Sequence, residues 1–386
     1  MNDVTIDKTG WKKWRFDEVC RQVNTSSKDP VTDGLDHVIG LEHIEPGNLH
    51  ITKWDTLEKE TTFTRKFVKG QVLFGRRRAY QRKVAYAEFD GICSGDILVF
   101  EAIEENLLPE LLPFLIQSDG FFEKALATSA GSLSPRTKFK ELADYEFLLP
   151  PKSEQKRLAE LLWAADEMIE KEKKELEIAK TLFNFQKNQI IWDVQFPLGE
   201  LNNVTKIGLK DGDWIESKDQ SESGFRLIQL ADIGDGEFIN KSKRFISEKT
   251  FKKLHCFEVL PNDILLARMP DPIGRSCIMP QMDGRCITAV DVCVIRVDEI
   301  KFNTKFINYM INTTPFRKMV IEQSSGTTRQ RISRKTLEKM LVPQPSKSIQ
   351  ESIVATINKI EQSIFSIRTQ VEISQQLKQE LINKIF

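Results

Sequence analysis

Two stretches of the chain carry the same hydrophobic rhythm, with apolar residues returning at alternating steps of four and three. In the first, the positions are Leu158, Leu162, Ala165, Ile169, Glu172, Leu176, Ala179, Phe183, Gln186 and Ile190. In the second, they are Ile353, Ile357, Ile360, Ile364, Ile367, Val371, Ser374, Lys378, Leu381 and Ile385. Each member of the second set lies 195 residues after its counterpart, and eight of ten are apolar in either set, so one seam is written twice. A mean step of 3.5 residues is the period of a helix that buries a narrow stripe against another helix. The pattern predicts long helices over 151–195 and 346–386. Pro150-Pro151 and Pro343 to Pro345 end what precedes them, and Ser153 and Ser348 are candidate N-caps. A seam needs a partner. The economical one is the other helix of the same chain, antiparallel if a pseudo-two-fold axis relates the two halves. About 39 residues at 1.5 Å rise would make a spacer of roughly 58 Å. A coiled coil between two copies of the chain is the alternative.

The segments ahead of the two helices also echo each other. Ile39-Gly40-Leu41 with Gly47 matches Ile228-Gln229-Leu230 with Gly236, and Gly70-Gln71-Val72-Leu73-Phe74 matches Asn262-Asp263-Ile264-Leu265-Leu266. Ile92-Cys93-Ser94-Gly95-Asp96-Ile97 matches Ile287-Thr288-Ala289-Val290-Asp291-Val292, Ala130-Gly131-Ser132 matches Ser325-Gly326-Thr327, and Leu149-Pro150 matches Val342-Pro343. Five weak matches in one order make a repeat of a domain followed by a helix. Within each copy, β-rich runs (83–86, 96–100, 277–279, 292–297) lie between glycine and aspartate turns, and helical stretches follow near 107–127 and 303–322. The predicted fold is α/β, of mixed α+β type. Two globular domains related by a pseudo-two-fold axis, 1–150 and 196–345, would be separated by a long antiparallel two-helix coiled coil of 151–195 and 346–386.

Composition narrows the class. The chain has 386 residues, 40% of them hydrophobic, which suits two or more folded domains and argues against disorder. It has no apolar run of membrane-spanning length, and Met1-Asn2-Asp3-Val4 does not open a secretory leader, so a cytoplasmic protein is expected. Six scattered cysteines form no C-x-x-C pair and read as buried reduced thiols, while His37, His43 and His50 match no zinc spacing, so no metal is expected. Phosphate-loop, dinucleotide-binding, nucleophile-elbow and zinc-protease motifs are absent, as is the N-P-P-Y type of segment with which an amino-methyltransferase holds its target amine. Glu154-Gln155-Lys156 and Glu172-Lys173-Lys174 formally match a nuclease E-x-K, but both fall on the first long helix and read as a solvated face. No catalytic residue is expected.

Charge matters only locally, because 56 basic residues balance 56 acidic ones. The densest basic run is Arg76, Arg77, Arg78, Ala79, Tyr80, Gln81, Arg82 and Lys83, at the end of a strand. Arginine suits guanine edges and phosphates, and glutamine suits adenine. Its counterpart runs from Arg268 to Ser276 and contains Arg275. A second candidate is the hydroxyl-rich segment 324–335 with Ser325, Gly326, Thr327, Thr328, Arg329 and Arg331, matched in the first half by 128–138 with Ser132, Arg136 and Lys138. Small hydroxyl residues around glycine let a backbone approach closely and donate to phosphates. The two halves thus offer equivalent loops with different contents.

On these segments the chain resembles the specificity subunits of type I restriction-modification enzymes. Gly75 through Asp96, Leu265 through Val292 and the Ser-Gly-Thr-Thr segment look like target recognition domains, and Leu149 through Leu158 resembles the start of the family's central helical region. The second helix departs, with Ile349 opposite Glu154. The resemblance implies a non-catalytic subunit that reads a bipartite site in double-stranded DNA, one half per domain. It implies that the helix pair, packed through Leu162, Ile169, Leu176, Phe183, Ile357, Ile364 and Val371, sets the spacing and docks two modification (methyltransferase) subunits. S-adenosylmethionine, and ATP with magnesium, would then belong to partner subunits, with a restriction subunit as a further partner and no cofactor in this chain. The alternatives are a stand-alone DNA-modifying or DNA-cleaving enzyme with an unfamiliar site, and a coiled-coil scaffold that binds proteins.

Overall fold

The computed structural model describes residues 6–386 apart from 59, 60, 132, 271, 327 and 328. The chain divides into two units, Met1–Lys174 with Arg368–Phe386, and Glu175–Ile367. Each is mixed α/β.

In the first unit a four-stranded antiparallel sheet runs in the order Cys20–Val23, Ile97–Ala102, Val72–Gly75, Val84–Tyr86. Its central strands are apolar at successive positions because both faces are covered. Val72, Phe74, Leu98 and Phe100 join one core, and Leu73, Ala85, Ile97 and Val99 join the other. The first core also takes in Leu158 and Leu162 from the first long helix and Ile382 and Ile385 from the second. The second core lies under a smaller sheet of Val38–Ile39, Gly91–Cys93 and Arg65–Phe67.

The second unit repeats the plan. Its four-stranded sheet has the order Lys210–Asp211, Val292–Ile295, Ile264–Ala267, Ser276–Ile278. Ile264, Leu266, Cys293 and Ile295 face a core that includes Phe183, Ile191, Ile353 and Ile357, while Leu265, Ala267, Val292 and Val294 face another. That other core borders a five-stranded sheet in which Phe225–Ile228 pairs parallel with Cys286–Thr288, as Val38–Ile39 does with Gly91–Cys93.

The long helices span Lys152–Ile191 and Lys347–Ile385. Within the first unit the opening turns of the first helix pack on the closing turns of the second. Within the second unit the closing turns of the first pack on the opening turns of the second, so the pairing is antiparallel in both. Leu162, Ile169, Leu176, Phe183, Ile357 and Val371 are buried and Ile364 is partly buried, whereas Gln186 is exposed.

Ser153 and Ser348 are not the N-caps that the sequence suggested. Helical pairing begins earlier, with the Gln155 N–H on the Pro151 carbonyl and the Gln350 N–H on the Ser346 carbonyl. What anchors each helix start is a buried glutamine. Gln155 accepts from the Leu108 N–H at 3.0 Å and donates to the Asn106 and Pro150 carbonyls. Gln350 accepts from the Asn303 N–H at 2.8 Å and donates to the Pro345 carbonyl. Lys152 and Lys347 reach the equivalent carbonyls of Glu104 and Glu299. The two helical stretches expected near 107–127 and 303–322 are each broken in the middle. Ser118 caps a new helix by accepting from the Phe121 N–H, and Pro315 sits in the first turn of its helix, where its missing N–H is not needed.

All six cysteines are buried free thiols, and burial pushes Cys277 up to about 12. No helix among the described residues is long and apolar enough to cross a membrane.

Candidate nucleic-acid interface

In the first unit the basic run leaves the strand Val72–Gly75 and turns through a short 3-10 segment, Ala79–Gln81. Arg78 and Arg82 on either side are left-handed, with φ of 54° and 52°, a conformation that non-glycine residues adopt only when their surroundings impose it. Backbone bonds from Arg78 N–H to the Pro135 carbonyl (2.8 Å) and from Thr137 N–H to the Arg76 carbonyl (3.1 Å) tie this turn to the hydroxyl-rich loop. The structure therefore brings the two candidate segments of this half together. Arg77 donates to Ser134 Oγ at 3.0 Å, and Arg136 grips Asp96 through Nε at 2.6 Å and Nη2 at 3.2 Å.

Not every residue of the run is available to a ligand. Arg82 donates to Asp119 Oδ1 at 2.5 Å and lies over the Phe122 ring, and Lys83 Nζ donates to the Leu41 carbonyl at 2.5 Å. Tyr80, Arg136 and Lys138 are exposed, and Arg76, Arg77, Arg78 and Gln81 are half-buried. Burial, together with the charges of Arg65 and Arg136, lowers the Arg76 pKa from its ordinary value, while Asp96 opposes the shift. Arg65, which the sequence pattern did not single out, thus adds to a concentration of guanidinium groups around one carboxylate. Ser132 lies outside the described residues.

The second unit uses the same backbone scaffold. The Ile332 N–H bonds the Arg268 carbonyl at 3.1 Å and the Arg268 N–H bonds the Asp291 carbonyl at 2.8 Å, as Thr137 does with Arg76 and Arg76 with Asp96. The side chains differ from expectation. Arg268 is 4% exposed and pairs with Asp211 at 3.0 Å. Arg275 is 7% exposed and donates to the carbonyls of Ile233, Pro272 and Leu230 at 2.7–2.9 Å. Both were expected on a DNA-facing loop, and both are instead held inside the unit, because carbonyls and carboxylates there compete for the guanidinium more closely than solvent does.

The exposed cations beside the candidate loops of this half lie on the hydroxyl loop and the helix after it. Ser325, Gly326, Arg329, Arg331 and Lys335 are exposed, and Arg334 is half-buried. Gly326 has φ of 105°, and a Cβ there would meet the Arg329 carbonyl oxygen at 2.6 Å, so this tight turn requires glycine. Thr327 and Thr328 lie outside the described residues. A cleft of about 600 Å³ is lined by Asp211, Trp214, Arg268, Arg331, Arg334 and Lys335 among others. Trp214, 71% exposed, was not singled out from the sequence. Lys218 and a hydrogen bond from the Trp214 indole hold the Glu216 carboxyl below its ordinary value.

Among the described residues, neither E-x-K match falls in a group able to surround a cation. Glu154 accepts from the Trp11 indole at 3.2 Å, and Lys173 pairs with Glu170 one turn away at 2.7 Å. Among the described residues, Glu42, His43 and Asp55 are a group able to surround a cation. His43 Nδ1, however, accepts the Gly40 N–H at 3.0 Å, which leaves the proton of a neutral ring on Nε2, the nitrogen facing Asp55 at 3.8 Å. That tautomer has no lone pair to give a metal.

Comparison with known proteins agrees with this duplicated plan. The family model described as "Type I restriction modification DNA specificity domain" matches twice, over residues 8–180 and 192–379. The specificity subunit of the type I restriction enzyme MjaVIII from Methanocaldococcus jannaschii is 22% identical over 277 residues, 66% of this chain and 64% of its own length. That of EcoDI from Escherichia coli is 26% identical over 167 residues, 42% of this chain and 37% of its own length. The matched stretches thus span less than two thirds of either relative. Among solved structures, a chain from a study of complex assembly in the type I R-M system superposes with a TM-score of 0.68 at 20% identity, covering 98% of this chain and 97% of its own. The HsdS subunit from Thermoanaerobacter tengcongensis gives 0.52 at 18% identity, covering 100% and 98%. With both halves matched by one family model and the same sheet, loop and helix plan in each, the chain belongs to the type I restriction modification DNA specificity domain family.

Proposed function

We propose that this chain is the DNA-specificity subunit of a type I restriction-modification complex and catalyses no reaction itself. Its first recognition domain, 1–150, would read one half of a bipartite duplex site, and its second, 196–345, would read the other. The observation that carries this reading is the repeated backbone scaffold with unlike side chains. In each unit a strand-end loop and a hydroxyl–glycine loop are joined by the same hydrogen bonds, yet the cations presented differ. A shared frame with divergent loops suits two readers of different sequences.

The long helices would set the gap between half-sites and dock two modification subunits. Leu161 and Met168 on the first helix and Ile373 and Leu377 on the second are exposed apolar residues of the first unit. Ile178, Leu182, Phe185 and Phe365 are their like in the second. Apolar residues repeated on the outer faces of an already paired helix suit burial by a partner protein. S-adenosylmethionine would be carried by those modification subunits, and ATP with magnesium by any restriction subunit that joins. The assembly would work in the cytoplasm, where its DNA lies.

The test is a domain exchange. Residues 1–150 are replaced by the equivalent domain of a relative, and methylated adenines are mapped with modification subunits present. One half-site should change and the other persist. A change in both halves, or methylation or cleavage by the chain alone, would overturn the reading. DNA binding that does not respond to salt would favour a protein scaffold instead.

A further inference from the structure

One ion pair occurs at the same place in both units. Arg136 Nε and Nη2 lie 2.6 and 3.2 Å from the Asp96 carboxylate, and Arg331 Nε lies 2.5 Å from Asp291. Asp96 and Asp291 each precede the central strand of their sheet, and Arg136 and Arg331 each close the hydroxyl–glycine loop. The backbone of each arginine is fixed as well. Arg136 exchanges two hydrogen bonds with Ala130, at 2.9 and 3.1 Å, and Arg331 exchanges two with Ser325, at 2.8 and 3.0 Å. The side chains remain accessible, 44% and 46% exposed, while their aspartates are only 20% and 16% exposed.

Such an arginine is fixed at both ends. Its backbone sits in a two-bond bridge; at Arg136 the Nε side of the guanidinium is hydrogen-bonded to the Asp96 carboxylate, and at Arg331 it meets Asp291 as an ion pair without a hydrogen bond. The Nη1 end of the fork is left for a ligand, already oriented, so little side-chain freedom is lost when it binds. The aspartate also offsets part of the charge, although Asp96 is shared with Arg77 and Asp291 with Arg268. That weakens the group as a general phosphate hook, because phosphate affinity comes from net positive charge and counterion release. It does not impair recognition of a planar double acceptor, for which the arginine fork is matched in geometry. In the major groove that acceptor is the O6/N7 edge of guanine. Arg77 is a weaker candidate, since its Nη1 and Nη2 already face Asp96 and Ser134.

We propose that Arg136 and Arg331 are the guanine-reading arginines of the two half-sites, each aimed by a positioning residue, Asp96 or Asp291. The inference rests on the DNA-specificity reading above and goes further, since it assigns base contact to these two residues and requires a G·C pair in each half-site. Exposed lysines nearby, Lys138 and Lys335, are the sequence-independent phosphate contacts.

The experiment uses the full chain assembled with its modification subunits, assayed for binding and methylation across a library of sites at several salt concentrations. Arg136→Gln should relax one guanine of the first half-site by roughly ten- to hundredfold and leave the second half-site and the salt slope unchanged. Arg331→Gln should do the converse. Arg136→Lys, which keeps the charge and the fold, should relax the same position. Asp96→Asn should relax it too, while steepening the salt dependence, because the released arginine gains access to phosphate. A merely structural aspartate would not produce that paired change. Uniform weakening on all sequences, with the salt slope lower by about one unit, would make Arg136 a phosphate anchor and overturn the proposal. Unchanged specificity and unchanged slope in Arg136→Gln would do so as well. A wild-type assembly that methylates no bipartite site would instead defeat the DNA-specificity reading itself.

Discussion

An arginine in a sequence is a donor looking for an acceptor, and the two halves of this chain show how differently that search ends. Arg275 finds four backbone carbonyls and is buried; Arg331 finds one aspartate and stays accessible. We expect Arg275→Ala to remove four hydrogen bonds to backbone carbonyls and to lower stability by about 3–5 kcal/mol, read by urea unfolding, with the recognised sequence unaltered in whatever protein remains folded. Changed specificity at unchanged stability would return Arg275 to the DNA face. Loop content was legible as basic and hydroxyl-rich, but burial was not, because a linear string does not say which carbonyls will surround a guanidinium. A second residue-scale expectation concerns His50, whose Nε2 lies 2.9 Å from buried Asp166 and whose Nδ1 lies 2.9 Å from Glu88. The bond to Asp166 outweighs burial and, with Glu88, raises His50 from 6.5 to about 9. A folded-state pKa above the unfolded one stabilises fully below the unfolded value, and that stabilisation fades as pH rises from about 6.5 through about 9. Melting of the wild type should therefore fall over this window more steeply than that of His50→Gln. Parallel curves would show that the histidine is not charged in the fold.

At the scale of elements, the helices were the most legible part of the sequence, because a period of 3.5 residues has one physical reading. The structure follows that seam through Leu162, Ile169, Leu176 and Phe183 and through Ile357 and Val371. Ile357→Ala should cost about 2–5 kcal/mol, whereas Gln186→Ala, at an exposed seam position, should cost little; equal effects in calorimetry would contradict the packing. One seam position carries a charge. Lys378 is buried and meets Asp166 at 2.5 Å; burial pushes the Asp166 carboxyl up, but His50 and Lys378 together hold it below its ordinary value. An apolar pattern cannot announce such a pair, although it can show that Lys378 breaks the pattern. The helix starts are hard to read from sequence for a related reason. Serine is a common cap, so Ser153 and Ser348 stand out, while the glutamines two residues on hold each start to its globular domain. Set side by side, Lys152-Ser153-Glu154-Gln155 and Lys347-Ser348-Ile349-Gln350 differ at one position, so the second start keeps the residues that make the joint.

For the whole molecule, a formal charge of zero hides two local excesses of cations, and salt is the way to expose them. Replacing Lys138 and Lys335 together by Ala should lower the slope of log affinity against log salt by about two units and leave the methylated sequence as it was. A changed sequence would mean that these lysines reach bases. The division of the chain into units bears on synthesis as well. The first unit takes its last pieces, Arg368–Phe386, from beyond the whole of Glu175–Ile367, and Ile382 and Ile385 sit in the same core as Phe16 and Phe100. At about 5–20 residues per second, a ribosome spends ~10–40 s making the intervening segment. During that time the portion made first waits with an apolar wall open. The earliest-made domain is therefore the last to close, and a nascent chain stalled before residue 368 offers chaperones and proteases an unfinished surface at its beginning, not at its end.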